Sequence, residues 1–521
     1  MLASHLRIGG ETIQNTILNT VEVIQELNQH SWCHVQCRQT RDERFPIEST
    51  LGKDLQILTF QDDDTESILF DGFVLEASLE YEVYGSYVAR LTAVSRSYKL
   101  SLTTQQRYFL KKTLKDVANQ LTGDDGLQAV VDCADRRPLN YVQWGESDFD
   151  FLRRLADDHR AWMRPSAQGI EIYDSFQDGE QIAWSEEGGL LGFHLTGKLA
   201  QPSFQGTHYD PEAMKSQTYE NITEKPQFFG SAGPMVDAVL QQSQACLPSG
   251  YVHCTARAVT LDDYEALLKK ESVRALGGKI TGKGKSLNSK LCPGNKVTID
   301  GPMDAQGVYG LTRVVHRWNQ AGYLNEFWCT PWTQYTDPVP PEPRRWFGVV
   351  PARVVEHNDP KKMGRIKVQY LFQDDGPAHW ARMMTPHAGG GRGFMFMPEV
   401  GDEVVVAFED GDPERPMVLG CVWNGVDQAP RGEFRSDDVA PNEVKRIVTK
   451  SGNRLQFVDT KGKESIVLST PNSVKVSLIA ANGSPTGPET LLLQSEHGDI
   501  ILNAPEGRIH MHSKRSSREI G

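Results

Sequence analysis

The chain has 521 residues, 39% hydrophobic and 24% charged, an ordinary globular composition with length for several separate cores. Its formal net charge of −13 argues against a general nucleic-acid binder, which needs a basic face to displace counterions from phosphates. The first residues, MLASHLRIGG, carry no continuous apolar stretch of secretory-signal type, and no apolar run approaches the roughly 20 residues that span a bilayer.

Residues 1–335 read as mixed α and β. The stretches 68–77, ILFDGFVLEA, and 87–95, YVARLTAVS, read as strands of a sheet or barrel. A helix is expected to start at Ser147, whose hydroxyl can cap the first turn, with Asp150 at the capping-box position. Phe149, Leu152 and Leu155 then recur every three residues on one face. A second helix is expected after Thr260, with Asp263 at the box position and a stop at Gly277-Gly278. Residues 291–318 return to short strands separated by Pro-Gly, Asp-Gly-Pro and Gly turns.

Two polar, proline-bearing stretches punctuate the rest. The first, 336–345, TDPVPPEPRR, reads as a stiff extended linker. Residues 346–425 read as all-β, with strands at 347–355, 364–371, 378–384, 403–409 and 416–423, which suits a small closed barrel of the OB type. The second linker is 426–444. In 445–521 short strands recur at 454–458, 465–470, 474–479, 491–495, 499–503 and 508–512, in the manner of a β-solenoid. Val474, Val476 and Leu478 alternate with Lys475 and Ser477, so one face is apolar. So short a stack exposes its edges if left alone, and winding three copies around one axis would bury the faces and pair the edges.

Residues that could carry chemistry do not assemble into a recognisable pattern. The eight cysteines, Cys33, Cys37, Cys133, Cys246, Cys254, Cys292, Cys329 and Cys421, are scattered and read as reduced, mostly buried thiols. Asp157-Asp158-His159 lie at adjacent helical positions that do not face one another, and they read as a solvated helix end. The run Gly389–Gly393 lacks the Lys-Ser/Thr ending of a P-loop and reads as a barrel loop. Tyr370, Phe372, Trp380, Phe394 and Phe396 could stack bases, but the surrounding carboxylates favour core and subunit-interface roles. No Ser-His-Asp or Cys-His ordering stands out, and no H-E-x-x-H occurs.

The stretches HNDPKKMGRIKVQYLF and HWARMMTPHAGGGRGFMFMPEVGDEVVVAFEDGDPERPMVLGCVWNG, within 357–425, closely resemble the OB domain of the valine-glycine-repeat (VgrG) spike family of type VI secretion and phage-tail-like injection systems. WGESDFDFLRRL, at 144–155, resembles that family's hub helix, and residues 293–316 its second hub barrel. SGNRLQFVDTKGKESIVLST and HGDIILNAPEGRIHM resemble its β-helix. The first 40 residues match weakly and are left unassigned.

The resemblance implies an α+β hub with two β-barrels and helical insertions over 1–335, an OB barrel, and a trimeric intertwined β-helix. Val474, Val476 and Leu478 would form the trimer core, and Ile509 and Met511 would contact a cap at the tip. The implied partners are two further copies, the inner-tube protein and baseplate at the hub, a PAAR-type tip protein, effector cargo and, transiently, the target membrane. Such a chain is expected to be non-enzymatic and cofactor-free, assembled in the cytoplasm and exported with the particle. With only about 20 residues between barrel and rod, no inserted catalytic domain of on the order of 100 residues has room there. His510 and His512 share one strand face, and three copies could hold an axial iron or zinc between them; an exterior histidine pair is the alternative. A phage baseplate peptidoglycan hydrolase and an OB-type single-strand nucleic-acid binder are the competing readings.

Overall fold

The computed structural model describes residues 4–13, 18–39, 47–60, 66–81, 87–134, 138–252, 261–301, 304–337, 345–372, 376, 378–430, 443–472, 474–480 and 489–510. The fold is mostly β, in two compact units, Met1–Val422 and Trp423–Gly521.

Thirteen strands of the first unit join into one sheet. In spatial order the path runs Leu190–Gly197, Ile280–Ser286, Gly322–Thr330, Gly307–Asn319, Leu18–Glu26, Trp32–Gln39, Tyr87–Ser95, Glu66–Tyr81, Asp54–Phe60, Ser4–Ile8 and Glu11–Ile13. Asn295–Asp300 pairs with Gly307–Asn319 off this path, and Gln177–Ala183 pairs with Asn295–Asp300. The unassigned N-terminal segment therefore supplies central strands: Leu18–Glu26 runs antiparallel to Gly307–Asn319, with Glu26 opposite Arg313. Alternation explains its placement. Val21 and Val23 are buried, whereas Glu22 and Glu26 face outward and pair with Arg317 and Arg313. Two barrels were expected in this region. Among the described residues one continuous sheet carries two separate cores, one around Val23, Val35 and Leu91, the other around Ile299, Tyr309 and Phe327. Among the described residues, the one closed ring is five-stranded and lies between Val350 and Cys421.

Among the described residues, four α-helices pack on these sheets. Helix α1, Leu114–Asp124, was not foreseen. It carries a complete capping box, with Thr113 and Asp116 each bonded to the other's backbone N–H. Helix α2, Asp148–Asp158, starts at Ser147 as expected, and the Ser147 hydroxyl accepts from the Asp150 N–H at 3.1 Å. It also donates to the Asp150 carboxylate at 2.7 Å. Phe149, Phe151, Leu152 and Leu155 of α2 share a core with Val117, Ala118 and Leu121 of α1. Helix α3, Gly233–Cys246, with Pro234 in its first turn, was also not foreseen. Helix α4, Leu261–Gly277, ends at the expected glycine; Thr260 and the Asp263 side chain lie outside the described residues.

The five barrel strands fall within a few residues of their expected places: Val350–Glu356, Ile366–Tyr370, His379–Met383, Glu403–Phe408 and Pro416–Cys421. They close into a ring around Ala352, Val354, Ile366, Val368, Val404, Val406 and Val418. The linker ahead of it, 336–345, begins inside the fold: Thr336 and Asp337 are buried, and residues 338–344 lie outside the described residues. Asp337 accepts from Arg153 at 2.6 Å and from Asn28 at 3.2 Å, so the end of the hub is tied to α2. Of the linker 426–444, residues 431–442 lie outside the described residues, and Val444 already begins a strand.

The second unit is a five-stranded antiparallel sheet in sequence order: Val444–Val448, Arg454–Val458, Ser465–Ser469, Lys475–Ile479 and Thr490–Gln494. β-Solenoid repetition was expected; within one chain the described strands pair antiparallel in sequence order, as a meander. Residues 499–503 and 508–510 are not strands here.

Three histidines are held neutral by their surroundings, His316 fully buried and His30 and His379 half-buried. Burial lowers His30 to about 4, against a smaller opposing pull from Asp150. Burial also lowers His316 to about 3 and His379 to about 4. Each binds its proton more readily in the unfolded chain. The resulting stability is complete above about pH 6.5 and is lost as pH falls toward 4, each tenfold difference in proton affinity being worth about 1.4 kcal/mol. The unfolding midpoint at constant ionic strength should therefore drop steadily between pH 7 and pH 4.5. A midpoint unchanged over that window would contradict the neutrality of the three rings.

Candidate functional site

The barrel does not stand apart from the hub. Hub strands Thr104–Lys112 and Leu139–Ser147 pair antiparallel, and their Tyr108, Val142 and Trp144 complete the barrel core. The Trp144 ring meets Tyr370 and Phe372 edge-on, at 5.9 and 5.2 Å, and Phe408 at 5.0 Å. Tyr108 stacks on Tyr370 at 5.5 Å and lies 4.0 Å from His379. Burial pushes the Tyr108 phenol far up, so this joint is a neutral aromatic cluster.

The two barrel motifs are structural devices. In D-P-x-x-x-G-R, Asp359 accepts from the backbone N–H of Lys361, Met363 and Arg365, and its Oδ1 accepts from the Arg365 guanidinium at 2.6 Å. Those bonds, the Arg365 side chain foremost, hold its carboxyl far below the usual range. In G-D-P-x-R-P, Asp412 caps its own turn through the Glu414 N–H, and the Arg415 carbonyl accepts from Glu409 to restart pairing. Neither motif aims a reactive group at an open site.

The acidic end of α2 is not the solvated helix end expected from its sequence. Asp157 and His159 are buried. Asp157 accepts from Lys270 at 2.7 Å and from Arg274 at 2.8 and 2.9 Å, which joins α2 to α4. His159 turns the other way, its Nδ1 2.8 Å from the Leu155 carbonyl oxygen and its Nε2 3.4 Å from the Tyr141 hydroxyl. The three residues do not converge. The described cysteines are free thiols; Cys33, Cys37 and Cys329 are buried, Cys246 and Cys421 are exposed, and Cys254 lies outside the described residues. Of the barrel aromatics, Tyr370 is in the core, Trp380 faces out beneath Arg365 and Lys367, and Phe394 and Phe396 are exposed.

Exposed apolar surface gathers on the second unit. Register places Leu455, Leu468, Val476 and Leu493 in one cross-strand row and Phe457, Ile466, Leu478 and Leu491 in the next, on the same face. Apart from Leu455, which is half-buried, every one is exposed, Leu468 at 57% and Leu491 at 62%. Val474 is exposed as well. The opposite face holds Gln456 and Ser477, both buried. The three core positions singled out from the sequence thus lie bare in a single chain. Ile509 is exposed; Met511 and His512 lie outside the described residues, and His510 is exposed. Among the described residues, no group of three or more His, Cys, Asp or Glu is placed to hold a metal ion. No described helix is long and apolar enough to cross a membrane.

Comparison with known proteins gives these surfaces a context. Residues 350–423 match the type VI secretion system/phage-baseplate injector OB domain, and residues 25–163 match the phage tail baseplate hub. The chain is 24% identical to the type VI secretion system spike protein VgrG5 of Pseudomonas aeruginosa, over 72% of this chain and 52% of that protein. It is 33% identical to VgrG4b of the same organism over 28% of this chain and 20% of that one. It is 23% identical to the actin cross-linking toxin VgrG1 of Vibrio cholerae, over 73% and 37%. It thus spans about half the length of the first of these relatives and less of the others. Among solved structures, the E. coli c3393 protein superposes with a TM-score of 0.54 at 17% identity, over 80% of this chain and 99% of that one. That protein is a type VI secretion component described as similar to the T4 bacteriophage tail proteins gp27 and gp5. A chain of the Francisella PdpA-VgrG complex superposes with a TM-score of 0.63 at 9% identity, over 95% and 80%. These structures share the fold.

The joint sets a clear expectation. Trp144→Ala should cost about 3–5 kcal/mol, the usual range for emptying a buried aromatic position. Hub and barrel should then separate into two unfolding transitions by calorimetry. A single transition at the unchanged midpoint would contradict the joint.

Proposed function

We propose that this chain, VgrG-like in its hub and injector OB domains, is one subunit of a homotrimeric hub and spike in a phage-tail-like injection apparatus. Its work is mechanical. The hub caps the inner tube at the baseplate, the barrel links hub to rod, and the rod punctures the target envelope and carries effectors. It catalyses no reaction and needs no cofactor. It is delivered as part of the particle.

One observation carries this reading: the double row of apolar side chains left bare on the second unit's sheet. A monomer does not keep so much contiguous apolar surface in water without a use for it. Wound around a common axis, three such sheets form the trimeric β-helix, with Val476 and Leu478 inside and Val474 beside them. The strand Thr490–Gln494, last in the sheet order, gains a neighbour in the same step. At the far end Ile509 and Met511 present an apolar base for a PAAR-type cap. An iron or zinc held by His510 and His512 of three copies is the alternative for the tip, and elemental analysis reads it.

Light scattering on the full-length chain should give about three times the 58.2 kDa monomer mass, as closed cyclic symmetry requires. Val476→Asp places like charges together in an apolar interior, at a cost of several kcal/mol per unpaired charge, and should abolish that species. A folded, stable monomer of the natural sequence at micromolar concentration would overturn the proposal.

A further inference from the structure

The barrel has two unlike sides. Outward on its second and third strands are Lys367 and Trp380, with the Lys367 ammonium 5.7 Å from the ring centre. On its fourth and fifth strands the outward positions are Val405, Ala407, Met417 and Leu419, with Pro351 of the first strand beside Val405. Leu419 is set out by a bulge and is 36% exposed. This second side carries no charge between Glu403 and Glu409 on one strand, nor after Arg415 on the other.

An arm rises beside it, residues 384–397. Its root is bonded to the fifth strand, from the Met384 N–H to the Val418 carbonyl at 2.8 Å. It is a built hairpin: Ala388 lies opposite Gly393, the Phe394 N–H reaches the His387 carbonyl at 2.9 Å, and the Thr385 hydroxyl donates to the Phe394 carbonyl at 2.8 Å. Gly393 has φ 144°, and a Cβ there would sit 2.4 Å from the His387 carbonyl oxygen. Met384, Phe394, Met395 and Phe396 are each more than half exposed, Met395 at 86%. No carboxylate occurs between Met383 and Glu399. The arm springs from the barrel end remote from the hub. The third strand begins at His379, beside Tyr108, and runs away from it to Met383.

We infer that the arm of one copy lies across the Val405–Leu419 face of the next copy's barrel, so that three barrels close head to tail. The inference rests on the proposed trimer. Donor and acceptor are different surfaces of one chain, so their contact is heterologous and closes as a ring. The areas agree with this. Four half-exposed large side chains offer on the order of 400 Å². Given once and received once, that makes about 800 Å² per subunit shared over two contacts, each about half the size of a standard interface, so the ring closes only together with the trimer contacts of the rod. One arm alone would be too small to hold a dimer. Met and Phe side chains also adapt well to an aliphatic face.

Two full-length chains test this when co-expressed, one Met395→Cys and the other Leu419→Cys, both also Cys246→Ser and Cys421→Ser. After mild oxidation a disulfide-linked pair should appear on a non-reducing gel, vanish on reduction, and be lost when Phe394→Asp is added to the arm-bearing chain. Absence of the pair in a sample that scatters as a trimer overturns the arm contact and leaves the trimer standing. A monomer mass overturns both. Equal linkage by the Met395→Cys chain on its own indicates arm-to-arm contact and overturns the ring.

Discussion

An antiparallel sheet with one apolar face must be covered, and the second unit leaves that face bare. Six of the eight side chains in its two central rows are leucine or isoleucine, and their strand neighbours within the chain are already paired. The sheet's opposite face already buries Gln456 and Ser477, so the bare rows are the apolar surface the described strands offer for association. Burial at about 25 cal/mol per Å² favours association strongly over solvation. The proposed association of copies therefore has its basis in the side-chain pattern of the described strands from Arg454 to Gln494, before any consideration of what the assembly does.

The first unit answers a different demand, that of stiffness between a broad hub and the barrel joined to it. The barrel core is not self-sufficient: Trp144 and Tyr108, from hub strands, fill its end. A joint made of interlocking rings resists bending better than one made of exposed ion pairs, since close-packed aromatics have few alternative arrangements. The Asp337 tie to Arg153 and Asn28 fixes the exit of the hub against α2. The Asp157 bonds to Lys270 and Arg274 hold α4 to the same helix. Helix α2 is thus the place where hub, linker and helical insertion meet.

Much of this was legible where partners are close in sequence. The barrel strands announced themselves through turn residues, and Asp359 binds residues no more than six positions away. The Ser147 cap and the apolar face of α2 are likewise local. Helix α1 has a readable signal in Thr113 and Asp116 ahead of VANQL, but its apolar stripe is too short to stand out. Helix α3 buries little beyond Val236, Val239 and Ser243, too few for a periodic pattern. The joint could not be read, since Trp144 meets Phe372 and Phe408 more than two hundred residues later. The burial of Asp157 was hidden for the same reason: its cations lie on α4. The meander could not be told from a solenoid, because strand spacing alone does not reveal strand direction.

Electron cryomicroscopy of the purified full-length chain tests the central claim most directly. The account predicts a three-fold particle in which Val476 and Leu478 of each copy point toward a shared axis and the edge strand Thr490–Gln494 is paired with a neighbouring copy. A single-chain particle, or a trimer in which those side chains face solvent, would contradict it.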